Sequence, residues 1–447
     1  MTTVTSPSGR KSGWTMLYNG NCPGPGELPF RFVDISAGLD THMAIDNRGR
    51  LYTWGSSSWQ YGGQTPVLID SGPNYFRHEA TYRHSDGYQA MVYPYQVGTK
   101  NNWMKCDHLE YIYVALDADG YLYAWGEDDT FGRGGWALAS QYSGSGRPPS
   151  NPFIPGGEQA IVPQLINNVV WKDFAAGQYH MLGLKADGTL WIWGKNLDAL
   201  TYGDAGYAED YVSRTPIQVT WVPGPIKLIS AHYSVNAVVT ESNQIYTWGN
   251  WWNSHYPEAV PTLRPLSLPA GVSITDIKCS PSGIVVLLSN GQLYAQGDRI
   301  GFASPPTADS ANFVLCPVSR IFVHIDVSET GAAAVDNAGN IWAWGNQAYL
   351  ISNSTGNDIR DPTIPVITAA QNEGDGNWIK VGINNWSHMA LDNQGRMFTW
   401  GSNVYGLLGI GEFQSAPTVD SYFPVECSPF ATLDDGTPAI PGVLTHA

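Results

Sequence analysis

Basic residues are scarce in this chain. Lys and Arg number 23 against 39 Asp and Glu, a formal net charge of −16. A general nucleic-acid binder needs basic surface to displace counterions, so this balance argues against that class and against docking on anionic membranes. Charged residues make up only 14% while hydrophobic ones reach 43%, so a packed core is expected rather than disorder. No run approaches the ~18 apolar residues of a membrane-spanning helix, and no membrane insertion is expected. The opening MTTVTSPSGRKSGW lacks the apolar stretch of a secretory signal. Without such a signal, the sequons at Asn353 and Asn385 read as chance matches. Cys22, Cys106, Cys279, Cys316 and Cys427 stand far apart without a C-x-x-C pair. Neither a zinc ribbon nor a disulfide scaffold is expected, and the cysteines read as buried thiols in a reduced compartment. There is no G-x-S-x-G elbow, P-loop or H-E-x-x-H. The expectation is therefore no catalytic residue, no metal and no cofactor.

Turn formers and aromatics are abundant. Gly 49, Pro 30, Trp 18 and Tyr 24 in 447 residues point to an all-β fold with room for one large repeat architecture. Trp-Gly recurs at Trp54, Trp125, Trp193, Trp248, Trp344 and Trp400, and a seventh copy is Gln296-Gly297. The intervals vary from 48 to 71 residues, yet other features keep fixed offsets. Five residues before each Trp (or Gln296) stands Gly49, Gly120, Gly188, Asn243, Gly291, Gly339 or Gly395. These residue types reach positive φ cheaply, as a tight hairpin demands. LDADG, residues 116 to 120, lacks the downstream acid of a calcium loop and reads as one of these turns.

The turn is flanked by strands. Leu51-Tyr52-Thr53-Trp54 and its counterparts alternate with both faces apolar, as suits a strand sandwiched between two sheets. Short runs such as Ala332-Ala333-Ala334-Val335 precede the turn, and Phe32-Val33-Asp34-Ile35 and its counterparts begin each unit. A last strand carries proline: Pro94, Pro163, Pro216, Pro265, Pro317, Pro365 and Pro424. Proline cannot donate to a ladder, which predicts the outermost strand of each unit. The unit is a four-stranded antiparallel sheet used seven times. Seven sheets with two apolar faces close most comfortably into a ring, so the expected fold is an all-β, seven-bladed β-propeller.

Gly38 to His42 (G-x-x-x-H), the hairpin Gly and the tail Gly401-Ser402-Asn403-Val404-Tyr405-Gly406-Leu407-Leu408-Gly409 resemble the regulator of chromosome condensation repeat family. The resemblance covers residues 32 to about 427. It implies the propeller but no single activity, because that family includes exchange factors, inhibitors, ligase-associated modules and virion proteins. Only the seventh repeat keeps the full tail, repeat five lacks its Trp, and most repeats lack the His.

Three organisational units are expected. Residues 1–31 form an N-terminal segment that closes the ring or docks. Residues 32–427 form the propeller, and 428–447 a tail. His42, His180 and His388 recur at similar positions and read as a structural hydrogen bond inside each blade. The acidic pairs Asp128-Asp129 and Asp434-Asp435 read as solvated charge. Trp-Gly to proline is 40 and 38 residues in the first two repeats against 17 to 24 in the others. The two insertions, 56–93 and 127–162, leave equivalent blade ends and carry aromatics: Trp59, Tyr61, Tyr75, Phe76, Tyr82, Tyr88, Phe131, Trp136 and Tyr142. With Trp251 and Trp252 they are the candidate binding residues, since long loops on a rigid scaffold are usual places for recognition. The alternative is that they anchor the loops to the disc.

The leading expectation is a non-enzymatic interaction or structural protein of a bacteriophage virion, on head or tail. Its partners would be other subunits of a large assembly and a host surface glycan, its location the virion. The alternatives are a cytoplasmic protein-binding adaptor or a guanine-nucleotide exchange factor. A glycan-processing enzyme is a third reading, which would need acids and Arg to converge on the central cavity.

Overall fold

Each Trp-Gly motif lies on the third strand of an antiparallel unit, and seven such units follow one another around a ring. The computed structural model describes residues 31–38, 41–56, 81–83, 89–109, 112–126, 160–177, 180–195, 212–250, 257–297, 299–302, 312–345, 377–385, 387–403, 406–409 and 421–427.

Blade one comprises β1 Phe32–Ala37, β2 Thr41–Asp46, β3 Leu51–Ser56, β4 Thr81–Arg83 and β5 Gln89–Gln96, in the order β1-β2-β3-β5-β4. Blade two is β6 Trp103–Leu109, β7 Ile112–Asp117, β8 Leu122–Gly126 and β9 Ala160–Leu165. Blade three is β10 Asp173–Ala176, β11 His180–Leu184, β12 Leu190–Lys195 and β13 Val212–Val219. Blade four is β14 Ile226–His232, β15 Val235–Thr240, β16 Ile245–Asn250 and β17 Pro257–Arg264. Blade five is β18 Ile274–Ser280, β19 Gly283–Leu288, β20 Leu293–Gly297 and β21 Val314–Leu315. Blade six shows three strands among the described residues, β22 Phe322–Val327, β23 Gly331–Asp336 and β24 Ile341–Gly345. Blade seven is β25 Trp378–Ile383, β26 Ser387–Asp392, β27 Met397–Gly401 and β28 Ser421–Cys427.

The hairpin residues have φ between 61° and 83°, with Asn243 at 61°, a region that glycine enters freely because it has no Cβ. An acid three residues ahead organises many of these turns. Asp46 Oδ1 accepts the N–H groups of Arg48 and Arg50, both at 2.9 Å, and Asp117, Asp336 and Asp392 do the same. All four aspartates are buried. A D-x-x-G spacing is the sequence signal for this role, and it removes the calcium reading of residues 116 to 120.

Five blades carry a proline at one equivalent place in the last long strand, although it is not the expected residue in blade four nor on the outermost strand in blade one. Pro94, Pro163, Pro216, Pro261 and Pro424 all fall in a register shift opposite the repeat Trp, where no ladder bond is made. The residue at this position in blade four is thus Pro261, not Pro265, which lies past β17. In blade five, Tyr294 pairs with Leu315 and Ala295 with Val314, which puts Phe313 at this position and Pro317 beyond the strand. Repeat five has therefore lost both the Trp and its opposed proline. Pro365 lies outside the described residues. In blade one the edge is β4, paired outside β5, so there the proline strand is not outermost.

The core lies between blades. One hydrophobic cluster runs from Met43 of blade one through Trp125 of blade two to Trp193 of blade three, and further clusters straddle later junctions. The six repeat tryptophans are at most 2% exposed. Trp54 Nε1 donates to the Leu407 carbonyl of blade seven at 2.9 Å, and Trp344 Nε1 to the Ile300 carbonyl of blade five at 2.8 Å. Each of these two Trp side chains is thus capped by the loop that follows Trp-Gly, or its counterpart, in the preceding blade. Gly409, at φ 62°, explains the glycine of that tail, because a Cβ there would stand 2.8 Å from Trp54 Nε1.

Ring closure joins blade seven to blade one. The Phe32 N–H donates to the Gly395 carbonyl at 2.8 Å, and Lys380 pairs with Asp34. Blade seven draws its four strands from residues 378–427, so closure needs no strand from the N-terminal segment. Residues 1–30 and 428–447 lie outside the described residues.

Trp193→Ala, which empties the space between blades, should cost about 3–5 kcal/mol in chemical denaturation. A melting curve indistinguishable from the parent would contradict this packing.

Candidate functional site

The innermost strand is bulged at its second residue in six blades, for example between Phe32 and Asp34. Beyond the bulge, the fourth position (Ile35, Cys106, Phe174, Ile229, Ile277, Ile325, Val381) turns into the core. Third and fifth positions turn to the axis, where they line a cavity of about 150 Å³. Asp34, Lys105, His324 and Lys380 come from the third position, and Ser36, Asp107, Ser230, Lys278 and Asp326 from the fifth. No local motif announces this set, since its members are one or more repeats apart in sequence. The signal that would have found them is the offset from the start of each repeat.

These charges are engaged with one another and with backbone. Lys380 pairs with Asp34, Lys105 Nζ lies 2.6 Å from Asp173 Oδ1, and Lys278 Nζ lies 3.8 Å from Asp326 Oδ1. Burial works against the Lys278 ammonium, but Asp326 and Asp276 outweigh it and hold it above its ordinary range. Burial likewise pushes the Asp276 and Asp326 carboxyls up.

The innermost strand is also a sheet edge, so its outward N–H groups need acceptors. Asp34 Oδ2 accepts the Cys106 N–H at 3.0 Å, Ser230 Oγ that of Cys279 at 3.0 Å, and Asp326 Oδ2 that of Ile383 at 2.9 Å. Each bond runs from one blade to the next. The channel therefore works as a belt of blade-to-blade links. Its cations are lysines, and no arginine lines it among the described residues. That differs from the acid and Arg constellation a glycan-processing site would need.

A second belt passes through the histidines, and here the expectation from sequence needs correction. His42 and His388 each face the repeat Trp across the strand pair, whereas His180 faces the following Gly194, one position earlier in the unit. The bonds of His42 and His180 run between blades, not inside them. His42 Nε2 and Ser387 Oγ share a hydrogen bond of 3.0 Å, Thr41 Oγ1 and Tyr113 OH one of 3.1 Å, and His180 Nε2 and Asn236 Oδ1 one of 2.7 Å. In each pair, the residue opposite the Gly of Trp-Gly meets the residue opposite the Trp of the next blade. His108, not singled out from sequence, adds a bond of 2.7 Å to the Thr41 carbonyl. At the junction of blades six and seven the first member is Gly331, and His388 has no hydrogen-bond partner among the described residues.

The aromatic candidates fall elsewhere. Trp59, Tyr61, Tyr75, Phe76, Tyr88, Phe131, Trp136, Tyr142, Trp251 and Trp252 lie outside the described residues, and Tyr82 is placed only by its backbone, opposite Ala90 in β4. Among the described residues no group of His, Cys, Asp and Glu is placed to hold a metal, and no helix is long and apolar enough to cross a membrane. Cys106, Cys279, Cys316 and Cys427 are buried free thiols.

The family model described as the regulator of chromosome condensation (RCC1) repeat matches residues 171–199, which run from the start of blade three through its Trp-Gly. Human WBSCR16 has a similar fold, with a TM-score of 0.64 at 16% identity, covering 86% of this chain and 95% of that one. So does Prp20p from Saccharomyces cerevisiae, with a TM-score of 0.56 at 17% identity, covering 79% and 80%. The chain is a seven-bladed propeller whose third blade carries an RCC1-type repeat. Curated relatives include the X-linked retinitis pigmentosa GTPase regulator homolog of Caenorhabditis elegans, 22% identical over 288 residues. The ultraviolet-B receptor UVR8 of Arabidopsis thaliana is 24% identical over 329 residues, and a mouse RCC1-like G exchanging factor-like protein 23% over 202 residues. The matches take in 62%, 70% and 42% of this chain, and 18%, 66% and 42% of the respective relatives.

The buried histidines make stability depend on pH. Burial pushes His42 and His388 down to about 3, and His108 and His180 down to about 4. Unfolded histidines take up protons near ~6.5. Below that pH the unfolded histidines hold protons that the folded ones do not, so the stability they contribute falls with acidification. Each histidine contributes up to ~1.4 kcal/mol per pH unit. Melting temperature should drop steadily from pH 7 toward pH 4, and His108→Gln should flatten the slope. A parent profile that stays level over this range would contradict the neutral buried imidazoles.

Proposed function

We propose that this RCC1-repeat propeller is a protein-interaction platform with no catalytic chemistry of its own. The observation that carries this reading is the engagement of the axial Lys and Asp side chains in links between blades. It leaves the outer faces and loops as the functional surface. The relatives support the same reading, since their names describe a GTPase regulator homolog, an exchanging-factor-like protein and a receptor. The adaptor and exchange-factor alternatives draw more support from them than a virion component does. These relatives come from animals and a plant, and the phage and host-glycan expectations gain nothing from them.

The second reading, guanine-nucleotide exchange, is favoured by the exchanging-factor-like relative and by Prp20p, whose structure was described together with its binding to Gsp1p and histones. One experiment separates the two. Release of a fluorescent nucleotide is followed from a panel of small GTPases with the propeller at catalytic concentration. Stoichiometric binding to each is measured in parallel by calorimetry. The platform reading expects no acceleration of release. Acceleration of 10-fold or more by a substoichiometric propeller would replace it with exchange, and turnover of a glycoside panel would overturn the non-enzymatic reading altogether.

A further inference from the structure

In the six bulged innermost strands, the residue at the bulge is pushed out of the ladder onto the face that carries the hairpin turns. It directly follows the residue whose N–H bonds to the preceding blade's hairpin glycine, as Phe32 does to Gly395 and Phe322 to Gly291. On four consecutive blades, six, seven, one and two, this residue is apolar and open to solvent. Val323 is 51% exposed, Ile379 48%, Val33 53% and Met104 63%. On blades three, four and five the same position is Lys172, Lys227 and Thr275. The repeat therefore does not require an apolar residue here, and half of the ring carries one regardless. Exposed apolar side chains grouped in this way signal an interaction site.

The rim of this arc is basic within an acidic protein. Arg31 and Arg320 are exposed beside Val33 and Val323, and Arg48 stands on the blade-one turn. The turn acids of these blades, Asp46, Asp117, Asp336 and Asp392, are buried and accept turn N–H groups, as described above. Among the described residues of this face on the four blades, the exposed acids are Asp119 on the blade-two turn and Glu426 beside the blade-seven turn. Two copies pressed together through this face would bring arginine against arginine, which disfavours self-association.

We propose that the arc Val323–Ile379–Val33–Met104 with its rim of Arg320, Arg31 and Arg48 docks a partner segment that carries both acidic and large apolar side chains. This rests on the interaction-platform reading and specifies the chemistry of its partner. The apolar groups supply the buried area, and the rim arginines select acid and speed encounter.

The test uses fluorescein-labelled peptides of ~15 residues on the full chain. One combines Glu and Asp with Leu and Phe, one replaces the acids with Lys, and one keeps the acids but replaces the apolar residues with Ser. The first should bind, more weakly as salt rises. It should lose 10-fold or more in the Val33→Ser/Ile379→Ser protein and in the Arg31→Glu/Arg320→Glu protein, both melting with the parent because these side chains are exposed. Equal binding of the Lys peptide or the Ser peptide would overturn the proposal, as would no binding to any of the three. Sedimentation that shows a dimer in the parent and a monomer in Val33→Ser/Ile379→Ser would assign the arc to self-association instead. Failure of the platform reading is distinct: it is read by nucleotide release and glycoside turnover, which the arc variants leave unchanged.

Discussion

Every blade of this protein must bury both of its faces, and that requirement is met only by the neighbouring blades. A single four-stranded sheet with Trp54, Tyr52 and Leu51 on two apolar faces would expose them all. In the ring each repeat Trp is wedged between blades and, at Trp54 and Trp344, capped by a loop of the preceding blade. The junction of blades seven and one is crossed by the Trp54 cap, the Lys380–Asp34 pair and the Ser387–His42 bond. The chain is thereby closed by packing and by hydrogen bonds of kinds that recur at some of the other junctions.

The closed ring creates a second problem, an inner edge facing the axis. Seven innermost strands present N–H groups to a cavity of only about 150 Å³. Asp34, Asp326 and Ser230 answer some of these donors, and the lysines balance the carboxylates. Charge in the channel is thus a consequence of ring geometry, as the buried histidines are of the junctions. Both belts explain why titratable groups gather in the interior.

On the interaction-platform reading, function lies at the periphery. The propeller supplies a rigid disc on which one face carries an apolar arc over four blades and polar residues over three. Asymmetry of this kind has no value to the repeat itself, since the fold is equally satisfied by Val33 or by Lys172 at that position. It is the place where the seven copies diverge while their skeleton stays the same.

What could be read along the chain is what short-range chemistry controls. Hairpin glycines and Asn243 report positive φ directly, alternation around Leu51-Tyr52-Thr53-Trp54 reports a strand with two buried faces, and Pro94, Pro163, Pro216 and Pro424 report a place without a ladder bond. Seven copies then imply a ring. Spacing alone misaligned Pro265, Pro317 and His180, because loops of unequal length and a one-residue offset hide which residues face each other across a strand pair. The channel belt, the histidine clasps and the apolar arc were not legible in any local window. Their members, such as Asp34 with Lys380 or Val33 with Val323, stand some 290 to 346 residues apart. Only closure of the ring brings such residues within bonding distance or onto one face.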